Sequence, residues 1–210
     1  VVVRENMPEL VRGRYVAGKV YMSSVSDPYQ PIEKRLELTK RILESMNKRI
    51  RLSILTKSDL VLRDVELFKR FENIEVGLTV NSFGESVKRD LEPRSPSIGR
   101  RIEALKRLHE SGVRNYAFIS PIIPKLTDIE EIISDTRDFV EYYFFEFLNF
   151  RAAGAEFRRL LRDRYWEAYE VVSNRDEFER YVRDMIKTIR GSGVEIGGIC
   201  LHHPRLVVLK

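Results

Sequence analysis

The chain has 210 residues, 43% of them hydrophobic and 33% charged, with a formal net charge of +5, which allows one domain, or one domain with a small appendage, with a real core and excludes bulk disorder. Its longest apolar stretches, such as Tyr142-Tyr143-Phe144-Phe145, fall far short of a membrane span, so no membrane partner is expected. A single cysteine, Cys200, excludes an internal disulfide framework and a multi-thiolate metal site and is consistent with a reducing, cytoplasmic setting.

In chain order the pattern is strand, loop, helix, repeated. Gly18 to Ser24 is a β-branched and aromatic strand, followed by the turn-rich Ser26-Asp27-Pro28-Tyr29-Gln30-Pro31. Ile32, Leu36, Thr39, Ile42, Leu43 and Met46 then recur at helical spacing. Ile50 to Leu55 is a second strand, Val65, Phe68 and Phe71 mark a helix, and Ile74 to Val80 is a third strand. A long polar loop leads to a helix with Ile98, Ile102, Leu105 and Leu108 on one face, stopped by Gly112. The fourth strand is Tyr116 to Ile119. Thr127 and Glu130 have capping-box spacing before a helix that buries Ile129, Ile132 and Ile133. The fifth strand is Val140 to Leu148.

Beyond it the character changes. Phe157, Leu160 and Leu161 predict a helix, and Trp166 and Tyr169 a further segment whose aromatic rings are expected to pack over the fold or close its open side. Ser173 or Asn174 caps a long helix with Phe178, Tyr181, Val182, Met185, Ile186 and Ile189 on its face. Gly191-Ser192-Gly193 ends it, and Val194 to Cys200 is a sixth strand. The expected organisation is a core over residues 1–151 and a helical extension with a final strand over 152–210.

Successive strand–helix units with near-continuous apolar strands predict an α/β fold with a parallel sheet covered by helices. Right-handed crossovers leave an open doubly wound sheet or a barrel. No G-x-G-x-x-G turn follows the first strand, which favours a closed or partial barrel over a dinucleotide-binding sheet. In both architectures ligands sit at the carboxyl ends of the strands. Those ends carry Ser24, Ser26 and Asp27; Thr56, Lys57 and Ser58; Thr79, Asn81 and Ser82; Ser120; and Glu146, Asn149 and Arg151. Each alone reads as a helix cap or loop contact. Together they suit a polar ligand, with Lys57 as the cation for a carboxylate or phosphate.

Other features are less directed. Ser120-Pro121-Ile122-Ile123-Pro124 repeats at the fourth strand the proline-stiffened device of Pro28 and Pro31. Between Lys88 and Arg107 there are seven Lys/Arg against three Asp/Glu, which reads as a solvated helix face or an anion-binding stretch beside the third strand's loop. His109, His202 and His203 are poorly placed to act together, and two adjacent histidines without a carboxylate at helical spacing do not define a metal site.

Read as an ordered set, these residues resemble the radical S-adenosylmethionine (SAM) superfamily, in its spore-photoproduct-lyase-like branch. The resemblance rests on Ser26-Asp27-Pro28-Tyr29-Gln30-Pro31-x-Glu33, Leu38-Thr39, Thr56-Lys57-Ser58 with Arg63-Asp64, Leu91-Glu92-Pro93 with Arg101, and Pro121-Ile122-Ile123-Pro124 with Thr127-Asp128, and covers roughly residues 1 to 150. It implies a partial (β/α)6 TIM-like barrel. It implies that a reduced [4Fe–4S] cluster splits SAM to a 5′-deoxyadenosyl radical. By the resemblance Ser26 and Asp27 face the methionine amino group and Lys57 meets the SAM carboxylate or ribose. Thr79, Asn81 and Ser82 contact ribose or methionine, and Ser120 with Pro121 lies against the adenine. The family's C-x-x-x-C-x-x-C cluster loop is not in this chain, so the resemblance implies that the first strand and the cluster ligands precede Val1. The photoproduct lyase's hydrogen-donor cysteine has no counterpart near Ser24, so spore-DNA repair is not the expected reaction.

Two other functions fit parts of the sequence. Lys57 at a barrel strand end has the chemistry of a Schiff-base lyase. The Lys88–Arg107 stretch and neighbouring arginines have the charge of a nucleic-acid-binding surface. The sequence specifies neither the substrate nor the oligomeric state.

Overall fold

A computed structural model of the protein describes residues 3–22 and 26–202. Ser24 and His203 therefore lie outside the described residues. The elements are α1 (Met7–Val11), β1 (Lys19–Met22), α2 (Glu33–Leu36), α3 (Leu38–Ser45), β2 (Arg51–Thr56), α4 (Val65–Phe68), β3 (Asn73–Val80), α5 (Glu85–Leu91), α6 (Ile98–Glu110), β4 (Asn115–Ile122), α7 (Ile129–Thr136), β5 (Tyr142–Phe147), α8 (Ala155–Arg164), α9 (Trp166–Ser173), α10 (Arg175–Gly191) and β6 (Ile196–Cys200). The strand order in the sheet is sequential, β1-β2-β3-β4-β5-β6. A doubly wound sheet reverses its order at a switch point; this one never does, and the fold class is the α/β partial TIM-like barrel.

The chain divides into two compact units, residues 1–79 with 99–116 and residues 80–98 with 117–210. In the first, β1, β2 and β3 are parallel, with Met22 opposite Ile54 and Thr56 opposite Leu78. β2 and β3 are buried almost along their length, as strands covered on both faces must be. Leu52, Ile54, Val76 and Leu78, with Leu43, Phe68 and Leu105, are among the buried side chains of this unit's core. Gly77 sits where a Cβ would lie 2.2 Å from the Tyr116 ring, so only glycine lets that ring cross β3. Gly112 ends the helical turn after α6 at φ +74°, a conformation that suits glycine.

In the second unit β5 and β6 pair in parallel with a bulge between Tyr143 and Phe144, bringing Glu146 opposite Cys200. Its core includes Ile119, Ile122, Phe145, Leu161, Val182 and Ile189. Asn174 accepts from the amides of Asp176 and Glu177 and starts α10, as an N-cap side chain does.

Several local expectations change. The helix expected across Ile32 to Met46 is two helices, broken at Glu37 in the left-handed region (φ 47°). The break lets the buried Glu33 carboxylate accept from the Thr39 amide at 3.1 Å, satisfying a donor in the first turn of α3. The long polar loop after β3 contains α5. The cap of α7 is Asp128, which accepts from Glu131 N, while Thr127 Oγ1 accepts from Ile123 N. Trp166 does not pack inward: it is 54% exposed. The buried positions of α9 are Ala168 and Val172, one helical turn apart, and Trp166 lies off that stripe, its ring 5.5 Å from Tyr169. Among the described residues no helix is long and apolar enough to cross a membrane.

Candidate functional site

In the first unit the polar ends of β1 and β2 are tied by one carboxylate. Asp27 Oδ1 accepts from Tyr29 N at 2.8 Å and from Thr56 Oγ1 at 2.6 Å, and Oδ2 accepts from Lys57 N at 2.7 Å. Thr56 Oγ1 in turn accepts from Ser58 N, and Ser58 Oγ caps the 3₁₀ turn at Asp59–Asp64 by accepting from Leu60 N. Asp27, Thr56, Lys57 and Ser58 are thus brought together, with Ser26 adjoining them in sequence and exposed. Three of the roughly four acceptor positions on a carboxylate are spent on the protein itself. Asp27 therefore sets the position of Lys57, whose side chain is half-buried.

Behind this rim lies a charged cluster that the sequence showed only as pieces. Arg63 donates through Nε to Asp64 Oδ1 at 2.8 Å, and through Nη2 to Asp64 Oδ2 at 2.8 Å and Glu33 Oε1 at 2.9 Å. Tyr29 OH donates to Asp64 Oδ2 at 3.0 Å, and Thr39 Oγ1 donates to Pro28 O. Burial, and then the neighbouring Asp64 charge, hold the Tyr29 phenol well above its usual range. The hydrogen bonds that Arg63 donates to Asp64 push its guanidinium further up. Glu33, Thr39, Arg63 and Asp64 serve to clamp the Pro28–Pro31 turn against the end of β2. The links that close it, Glu33 with Arg63 and Tyr29 with Asp64, join residues 30 and 35 positions apart, so spacing alone does not reveal the clamp.

At the end of β3, Thr79 is buried and its carbonyl accepts from Arg101 Nη1 at 3.1 Å. Arg101 is itself wholly buried, and Arg100 is paired with Asp59 at 2.6 Å. The Lys88–Arg107 stretch is thus not a uniform cationic face: two of its arginines are committed to holding the fold.

In the second unit, Asn81 is wholly buried; its Oδ1 accepts weakly from Phe83 N at 3.5 Å, and its Nδ2 has no hydrogen-bond partner among the described residues. Ser82 Oγ accepts from Asp128 N at 2.6 Å, which retains the hydroxyl proton for another acceptor. Ser120, before a cis peptide bond to Pro121, donates to Glu146 Oε2 at 2.5 Å. The other oxygen of Glu146 lies 2.9 Å from His202 Nε2, and Cys200 Sγ lies 3.7 Å from the same nitrogen. Burial, then the Glu146 charge, push the Cys200 thiol up. His202, which the sequence left without a partner, has one in Glu146. Asn149 Oδ1 accepts from Ala152 N, and Arg151 is exposed with its carbonyl bound by Arg158; both serve their own loop. His109 lies in the last turn of α6, exposed.

Two groups implied by the sequence resemblance can be tested on these residues. An unpartnered buried amide donor costs about 1–3 kcal/mol, and Asn81 Nδ2 is such a donor at a strand end, so the residues present fit a ligand rich in acceptors, as SAM is. A [4Fe–4S] cluster is held by cysteine thiolates. One cysteine in 210 residues supplies no such set, so these residues do not fit the cluster.

Comparison with known proteins gives three kinds of match. A family sequence model described as the radical SAM superfamily matches residues 3–136. An uncharacterised protein of Methanocaldococcus jannaschii is 55% identical over 202 residues, covering 96% of this chain and 78% of that protein. An uncharacterised protein of Acidianus two-tailed virus is 27% identical over 174 residues, covering 78% of this chain and 56% of that protein. Among solved structures, a spore photoproduct lyase mutant with bound AdoMet and dinucleoside spore photoproduct superposes with a TM-score of 0.58 at 16% identity, over 86% of this chain and 60% of that one. Streptococcus suis SuiB bound to precursor peptide SuiA superposes with a TM-score of 0.50 at 18% identity, over 88% and 38%. These two likenesses concern the fold, and the chain spans less than two thirds of either protein.

Proposed function

The chain belongs to the radical SAM superfamily, and from that membership we propose that it recognises S-adenosylmethionine at the carboxyl ends of its strands, in the service of radical SAM chemistry on a substrate yet to be identified. The observation that carries this reading is the reach of the superfamily match, residues 3–136, which takes in Ser26, Asp27, Lys57, Thr79, Asn81, Ser82 and Ser120. SAM bound in such a protein supplies the 5′-deoxyadenosyl group that the family turns into a radical. The part left to these residues is to bind and orient it.

Lys57 offers an ammonium to the SAM carboxylate, and Asp27 holds the Lys57 backbone in place through its amide. The clamp of Arg63 with Glu33 and Asp64 fixes the loop that carries Ser26. Asn81 Nδ2, unpartnered among the described residues, donates to a ribose or carboxylate oxygen. Ser82 has its hydroxyl proton available, and Ser120, whose proton goes to Glu146, presents lone pairs to a donor such as the adenine amino group. Arg101 bound to the Thr79 carbonyl sets the end of β3 from which Asn81 continues.

Calorimetric titration with SAM tests the proposal. Saturable binding is expected, and Lys57→Ala should lower affinity about tenfold to a hundredfold, the value of one charge-assisted hydrogen bond. Absence of binding, or equal affinity in the wild type, Lys57→Ala and Asn81→Ala, would overturn it. Borohydride trapping of a carbonyl compound on Lys57 would instead favour Schiff-base chemistry.

A further inference from the structure

We propose that Glu146, Cys200 and His202 form a binding site for one divalent metal ion of the zinc type, separate from any iron–sulfur cluster. The site is built by the β5–β6 pairing. The parallel register sets Glu146 opposite Cys200, and His202 follows Cys200 by two residues, the spacing at which extended chain returns a side chain to the same face. One ligand atom from each residue lies within 4.8 Å of the other two.

The distances fit one ion. With metal–sulfur and metal–nitrogen bonds of about 2.3 and 2.0–2.1 Å, a tetrahedral ion holds its sulfur and nitrogen ligands about 3.5–3.6 Å apart; Cys200 Sγ and His202 Nε2 are 3.7 Å apart. Nitrogen and oxygen ligands at about 2.0–2.1 Å from the ion lie about 3.3 Å apart; His202 Nε2 and Glu146 Oε1 are at 2.9 Å, sharing a proton. Binding releases that proton and the Cys200 thiol proton to solvent as the ion takes their place and the pair opens by a few tenths of an ångström. The fourth corner is open, since Cys200 and His202 are exposed. Three protein ligands with an open position is the arrangement that leaves room for water or a ligand atom.

The donors also choose the ion. A thiolate, an imidazole and one carboxylate suit zinc, cobalt or ferrous ions, whereas calcium and magnesium want oxygen alone. Support comes from behind the ligands. Ser120 Oγ donates to Glu146 Oε2 at 2.5 Å, fixing that carboxylate so that Oε1 turns towards His202, as outer-shell partners of metal ligands do.

Cobalt(II) is the probe, titrated anaerobically into metal-free protein. Because Cys200 is the chain's one cysteine, thiolate-to-cobalt charge transfer reports on that residue alone. One equivalent should give this band together with the visible bands of a four-coordinate ion, and zinc should displace both. Cys200→Ala should abolish the band, and His202→Ala and Glu146→Gln should each raise the dissociation constant at least tenfold. Ser120→Ala, which leaves all three ligands, should raise it about tenfold, with circular dichroism showing every variant folded. No charge-transfer band in the wild-type protein, or a cobalt affinity that Cys200→Ala leaves unchanged, would overturn the site. Neither result bears on SAM binding, which the calorimetric titration measures separately.

Discussion

At the scale of single residues, charge is used here mainly to hold shape. Arg63 is the clearest case, since Glu33 and Asp64 are both buried and each receives a guanidinium hydrogen bond. Arg63→Ala leaves two buried carboxylates without their cation, and breaking such a pair from one side is costly. We expect a loss of about 3 kcal/mol in chemical denaturation, and a smaller loss for Arg63→Lys, which restores charge without the fork that meets both oxygens of Asp64. Equal stability of Arg63→Ala and wild type would mean that the clamp is solvent-screened. Asp27 follows the same logic: three protein donors converge on it, so Asp27 arranges Lys57 before any ligand arrives.

At the scale of elements, helix starts carry much of the detail. α10 is a 17-residue amphipathic helix whose N-cap, Asn174, takes two amide hydrogens. Asn174→Ala should cost about 1 kcal/mol, read as a lower midpoint in thermal or urea unfolding, whereas Ser173→Ala, which removes only an exposed 3.2 Å bond to the Glu170 carbonyl, should be near neutral. The cap was readable in the sequence to within one residue, because Ser/Asn before a periodic run is a local signal. The start of α7 lies one residue beyond the one that the Thr127–Glu130 spacing predicts: Thr127 and Asp128 both cap well, and only the turn from Ile123, which claims the Thr127 hydroxyl, decides between them. The break at Glu37 was not readable at all, because it depends on where the Glu33 carboxylate ends up.

At the scale of the whole molecule, buried phenols predict a limit at high pH. Tyr116 is pushed up to about 12 by burial, and Tyr29, Tyr143 and Tyr181 are also raised, with burial the main cause in each. A phenol whose folded value lies above its unfolded value of about 10 contributes stability that is complete below pH 10 and is lost as pH climbs through the folded value. Stability should therefore fall steeply above about pH 10. Tyr116→Phe, which removes an ionisation worth about 2–3 kcal/mol, should flatten the fall between about pH 10 and 12. Lys48, lowered by burial and then by Arg70, acts in the opposite sense below its usual 10.5, so the comparison belongs above that pH. A wild-type profile flat to pH 12 would contradict the burial of these phenols.

The sequence by itself determined the six strands in their order, most of the helices between them, the parallel sheet, the superfamily, and a row of polar residues at the strand ends, because hydrophobic periodicity and short motifs are local and survive without coordinates; the short helices α1 and α5 and the break between α2 and α3 carry no such signal. It also left readings that tertiary structure had to settle. Trp166 was expected to pack inward and lies exposed, since the inward stripe of α9 is decided by what the helix packs against. Glu33 and Arg63 stood in the sequence as two motif residues thirty positions apart; only folding made them one clamp. Cys200, His202 and Glu146 had no common pattern, because strand register, not spacing, places a residue of β5 beside one of β6. Contacts made across strands depend on which backbone groups pair, and that information exists only once the chain has closed on itself.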